Sequence, residues 1–253
     1  MLEIILLFGV IFIILTFFYK QAVCEFRINQ LEWSQRDNVS SLLHEKVPLV
    51  LRSIPSASFW TLDDVTTREC YQNIPIFQET SLVEWVSKAN VDSVCPWKYP
   101  QAETIAAASG MAIWAKKWFH PMIMNPFLKL WMTPRYHCWA GNMGLRKTFA
   151  TWTCLFPVDG EILVSIMTEA VESALPAEWV GCFPSQLTAK DTPFVADVKY
   201  IDIVLRPGSC LFMPAHWFVS WTSTEGSKVV PMACTISYHT PISLLAFHAS
   251  PYT

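Results

Sequence analysis

The chain opens on an apolar block, Ile4 to Tyr19, in which Gly9 and Thr16 are the only residues without a large apolar or aromatic side chain. With Met1 and Leu2 it reaches the ~20 residues that a helix needs to cross a bilayer core. A cleaved signal peptide needs a positive leader and a small-residue cleavage site. Here Glu3 is the only charge ahead of the block, and Lys20-Gln-Ala-Val-Cys24 holds no Ala-x-Ala pattern, so an uncleaved anchor over residues 1–20 is expected. Polar text follows and reads as a juxtamembrane linker over residues 21–38, ahead of a single folded body over residues 39–253.

Within the body the pattern changes once. Ser40 to Lys46 reads as a short helix, and Val47 to Arg52 as a strand with Pro48 near its start, where a ladder donor can be spared. Thr61-Leu-Asp-Asp64 has the form of a helix-opening capping box. Leu82, Val83, Val86 and Ala89 share one face of a helix over residues 80–90. Gln101 to Phe119 predicts a longer helix with Gly110 as its weak point, and Pro121, Pro126 and Pro134 then break the chain. From there short runs rich in β-branched and aromatic residues take over: Lys147–Thr153, Ile162–Thr168, Lys199–Leu205, Cys210–Met213, Phe218–Thr222 and Val229–Ser237. Strands at such intervals, punctuated by Pro, Gly, Asp and Ser, indicate a sandwich or barrel.

Composition narrows the function classes. Of 253 residues 52% are hydrophobic and 15% charged, which excludes a disordered chain, and one sizeable domain fits this length. A net charge of −3 with no Arg/Lys cluster disfavours nucleic-acid binding. Lys20, Arg27 and Arg36 follow the anchor while nothing basic precedes it, so the positive-inside tendency places the body on the cytosolic side as a single-pass membrane protein. Eight Cys lack any C-x-x-C spacing, which argues against structural zinc; several stand in apolar runs and read as buried free thiols.

Several segments carry a resemblance. Pro48-Leu-Val-Leu-Arg52, Gly144-Leu-Arg-Lys-Thr148, Gly160-Glu-Ile-Leu-Val-Ser-Ile166 and, most strongly, Val204-Leu-Arg-Pro-Gly-Ser-Cys-Leu-Phe-Met-Pro214 with Ala-His-Trp-Phe-Val-Ser-Trp221 resemble, in order, the cupin-like/JmjC-like family. That resemblance implies a mainly β chain with flanking helices, built on a double-stranded β-helix, or jelly roll, behind one transmembrane helix. It also implies an Fe(II)/2-oxoglutarate site held by a His-x-Asp/Glu pair and a distal His. The implied ligand positions fall on Thr151, Thr153 and Val219, and none of the six His is followed by x-Asp or x-Glu. No basic residue follows Gly160 through Met167, where many relatives hold 2-oxoglutarate. The expectation is therefore a catalytically inactive member without metal or cofactor, acting as a structural or binding module.

Two alternatives remain open. One is a hydroxylase using Fe(II) and 2-oxoglutarate with atypical ligands, for which His137, His216 and His239 are the candidates; the other is a jelly roll holding a sugar or small molecule. His216 has a plainer reading as a turn residue bonded to backbone, and His137 as part of a structural loop. Trp118, Phe119, Met122 and Met124, on the Pro-broken segment, are expected to offer a surface to other proteins. A looser likeness to anchored cupin-like proteins of large DNA viruses and algae implies a virion or membrane assembly.

Overall fold

In the computed structural model, residues 2–21, 26–57, 59–77, 80–124, 127–172 and 198–250 are described. Helix α1 (Leu2–Lys20) is long and apolar enough to cross a membrane, and its side chains from Ile4 to Leu15 are all exposed. Its C-terminal turn is tied to the body. Lys46 Nζ donates to the carbonyls of Phe18 (2.9 Å) and Gln21 (2.7 Å), and Tyr19 Oη donates to Phe149 O (2.6 Å). A lysine at a helix C-terminus meets both the unpaired carbonyls and the negative end of the helix dipole.

The body is mixed helix and sheet. Residues 29–38, expected as linker, instead join the body: strand β1 (Asn29–Glu32) runs parallel to β2 (Leu49–Arg52), and Trp33–Asn38 is a 3-10 turn whose Trp33 ring meets Trp118. Helix α2 (Val39–Leu43) lies between them, and α3 (Leu62–Thr67) starts at Thr61, whose hydroxyl caps Asp64 N as the capping pattern predicts. Then come α4 (Glu69–Gln72), the short pair β3 (Pro75–Phe77) and β4 (Thr80–Ser81), and α5 (Leu82–Lys88). The long helix expected at 101–119 is two, α6 (Tyr99–Ser109) and α7 (Met111–Trp118). Gly110 parts them at φ +76°, the left-handed conformation that ends helices. Helix α8 (His120–Ile123) follows.

Eight strands then divide between two sheets. They are β5 (Thr133–Ala140), β6 (Met143–Lys147), β7 (Trp152–Asp159), β8 (Ile162–Met167), β9 (Tyr200–Leu205), β10 (Ser209–Pro214), β11 (Phe218–Ser223) and β12 (Met232–His239), with α9 (Pro241–Ala249) closing the described chain. The larger sheet has the order β1-β2-β10-β7-β12-β5, the smaller β6-β11-β8-β9, and every pairing but β1–β2 is antiparallel. The run 147–153, read as one strand, is the crossing between sheets: β6 ends at Lys147 and β7 begins at Trp152.

The tryptophans explain how an edge is closed. Strand β5 pairs only with β12, so its outer carbonyls would be unpaired. Trp60 Nε1 donates to Trp139 O (3.2 Å) and Trp97 Nε1 to Cys138 O (3.0 Å), and both indoles are almost fully buried. Each ring thus fills the core and bonds a backbone carbonyl of β5 at once.

The β5–β6 turn depends on Gly141. It has φ +83°, and a Cβ there would lie 2.5 Å from Ser93 O. Gly141→Ala is expected to destabilise the body by about 2–3 kcal/mol in urea unfolding. Gly226→Ala, at a left-handed turn where nothing lies within 4 Å of the new Cβ, serves as the comparison and is expected to cost less.

Candidate functional site

The period of two along a strand sends alternate side chains between the sheets. On β12 these are Thr235, Ser237 and His239. Cross-strand register sets Ser237 against Thr153 of β7, and Thr153 against Met213 of β10. From the smaller sheet Val219 and Trp221 of β11 face them, and Val219 is paired with Arg146 of β6. Tyr99 at the start of α6, Trp139, Phe149 and Phe247 of α9 complete the walls of a cavity of about 40 Å³. That is room for about three or four waters, at roughly 10–15 Å³ each.

The cavity is cationic. Arg146 lies over the rings of Tyr99 (5.1 Å) and Trp139 (4.9 Å), and neither ion pair nor hydrogen bond joins it to the described residues. Lys147, also on the wall, is buried and neutralised by Glu172 (2.6 Å) and Glu169 (3.4 Å). Behind the wall Arg135 pairs with Glu103 at 3.0 Å. Among the described residues no carboxylate lines the cavity, and His239 is the one imidazole that does.

His239 Nδ1 is 3.3 Å from Ser243 Oγ, and burial, reinforced by Arg135, pushes its pKa down to about 4. His137 is stacked on Trp139, with Nδ1 3.3 Å from Thr235 Oγ1 and Nε2 3.6 Å from Glu103, too far for a hydrogen bond. Burial lowers its pKa despite Glu103. His216 stands in the β10–β11 turn at φ +71°, its backbone N–H bonded to Thr148 O (2.6 Å), in keeping with the turn reading. Its buried ring nitrogens find no hydrogen-bond partner among the described residues; Tyr19 meets the ring at 4.7 Å and Glu169 approaches Nδ1 at 3.6 Å.

Of the positions marked from sequence, Thr153, Val219 and His239 line the cavity, while Thr151, His137 and His216 do not. Among the described residues no group of three His, Cys, Asp or Glu converges as a metal site would require. The expected partner surface is corrected. Phe119 and Met124 are core residues, with Phe119 stacked on Phe156 and Phe212, and Trp118 and Met122 pack half-buried against that core. Pro121 falls in the first turn of α8, where proline is tolerated, so the chain stays packed there. Arg146 and Ser237 were not singled out by sequence; only strand register brings them to the cavity.

Comparison with protein-family models and with curated proteins finds no match. Fold and site define a two-sheet β body with a small, aromatic-walled, cationic cavity, joined to an apolar N-terminal helix.

The buried imidazoles carry a pH dependence. A histidine whose folded pKa lies below its unfolded value of 6.5 takes up its proton more readily unfolded, so its contribution is complete above that pH and is lost as pH falls. Melting temperature is expected to fall between about pH 6.5 and 4. His239→Gln should flatten that fall when the melts are followed by circular dichroism.

Proposed function

We propose that this chain is a membrane-anchored jelly-roll protein of the double-stranded β-helix kind that serves as a binding or structural module, without oxygenase chemistry. The division of β5, β7, β10 and β12 into one sheet and β6, β8, β9 and β11 into the other supports the jelly-roll reading. The anchor reading rests on the length and apolarity of α1. A place in a membrane or virion assembly, beside other proteins, suits such a module.

The observation that carries the functional reading is the chemistry of the cavity wall. A two-His-one-carboxylate triad needs anionic and imidazole donors on one side of an open site. Among the described residues the wall offers one imidazole, no carboxylate, and a guanidinium whose charge opposes a metal dication. Val219 brings methyl groups to the position where the resemblance places the distal ligand.

Metal analysis of the full-length protein purified in detergent tests this. Iron well below one equivalent, and no 2-oxoglutarate turnover after Fe(II) is added, is the expected result. Close to one equivalent of iron bound with submicromolar Kd would overturn the reading.

A further inference from the structure

We infer that the cavity is a carboxylate-binding site, with Arg146 as its charged anchor. This rests on the metal-free binding reading above and names the ligand class for it. Three observations converge on it.

The first is the state of Arg146. A guanidinium carries five N–H donors in a planar fork. That of Arg146 is held over two aromatic rings, and no carboxylate, carbonyl or hydroxyl among the described residues accepts from it. The other cations nearby are spoken for, Lys147 by two glutamates and Arg135 by Glu103. Aromatic faces fix the position of the guanidinium and leave its edge, where the donors are, free for a planar anion.

The second is a pair of hydroxyls. Thr153 and Ser237 are 8% and 7% exposed, line the cavity, and are partners across the β7–β12 ladder. Neither hydroxyl has a hydrogen-bond partner among the described residues. By contrast Thr235 and Thr148, on the same wall, are fully engaged: Thr235 Oγ1 accepts from Trp139 Nε1, and Thr148 Oγ1 donates to Pro214 O. Hydroxyls that face the cavity without a protein partner are free to donate to an acceptor that enters it.

The third is size and lining. About 40 Å³ suits the head of a carboxylate, which displaces roughly two waters, and is tight for a tetrahedral phosphate. One unneutralised cation matches a monoanion. Phe149, Phe247 and Tyr99 are apolar or aromatic, so the body of the ligand is an aromatic or short aliphatic group. No redox or covalent step is involved; the site binds.

The experiment uses the full chain in detergent, with phenylacetate as probe, phenylacetamide as its uncharged counterpart and inorganic phosphate as the competing anion. Binding is read by calorimetry and by the fluorescence of Trp139 and Trp221. Phenylacetate is expected to bind saturably in the presence of chelator, phenylacetamide and phosphate not to bind, and Arg146→Gln to weaken phenylacetate by about tenfold to a hundredfold. Ser237→Ala tests the site without touching the charge and should weaken it by about threefold to tenfold. Melting curves of both variants establish that they fold.

Failure of phenylacetate to bind at millimolar concentration, equal binding of the amide, or unchanged affinity in both folded variants overturns the inference. Binding of phosphate in place of phenylacetate overturns it too. If chelator abolishes phenylacetate binding and Fe(II) restores it, what fails is the metal-free reading beneath it, and the two failures are thereby told apart.

Discussion

Thr148 ties the two sheets together. Its N–H donates to Trp217 O (2.7 Å), its carbonyl accepts from His216 N (2.6 Å), and its hydroxyl donates to Pro214 O (2.8 Å) and accepts from Trp217 N (3.0 Å). The two segments so joined are the crossings β6–β7 and β10–β11, each of which leaves one sheet and enters the other. Locking them side by side fixes the spacing of the sheets at that end. Buried backbone groups in a crossing have no ladder to satisfy them, and each one left unmade costs about 1–3 kcal/mol. One threonine meets that demand for both crossings. The left-handed backbone of His216, unusual outside glycine, is the local strain that the arrangement absorbs.

The cavity follows from this spacing. Held apart by the crossings, the inner faces carry small and medium side chains where they meet, namely Thr153, Ser237 and Val219, while large rings close the sides. A core made of Leu and Phe at those positions would have filled the gap, as it does further along the same faces, where Leu155 and Leu211 are fully buried. The electrostatics are equally local. Glutamates cluster outside the wall, at 169 and 172 on Lys147 and at 103 on Arg135 and His137, and none among the described residues lines the cavity itself. The result is a concave site whose field favours anions, while burial above all keeps the neighbouring imidazoles neutral.

How much of this could be read from the chain depends on how each strand is buried. Strands β8 and β9 alternate between covered and exposed positions, and their boundaries lie within a residue or so of the expected ones. Strand β7 is buried on both faces for most of its length, so it has no period of two to read. It also contains Pro157, a residue that argues against a central strand; the register shift opposite Met232 and Ala233 is what accommodates it. Strand β5 carries Pro134, which reads as a breaker and is tolerated because β5 is an edge. Missing these boundaries placed Thr151 on a strand when it belongs to a crossing. Val219, Thr153 and His239 were found because motif and residue type mark them. Arg146 escaped because a lone arginine in an apolar run looks like an exposed strand position, and only its pairing with Val219 turns it inward. No local pattern encodes that pairing.

Helix α1 and the site share a segment, which links the apolar helix to the cavity by a short physical path. Phe149 lines the cavity with its side chain and accepts the Tyr19 hydroxyl with its carbonyl. It follows Thr148, so these two adjacent residues carry the sheet crossing, the wall and the seat of α1. Helix α9, which supplies Phe247 to the wall, also touches α1. A tilt of α1 relative to the body would therefore bear on two wall residues at once.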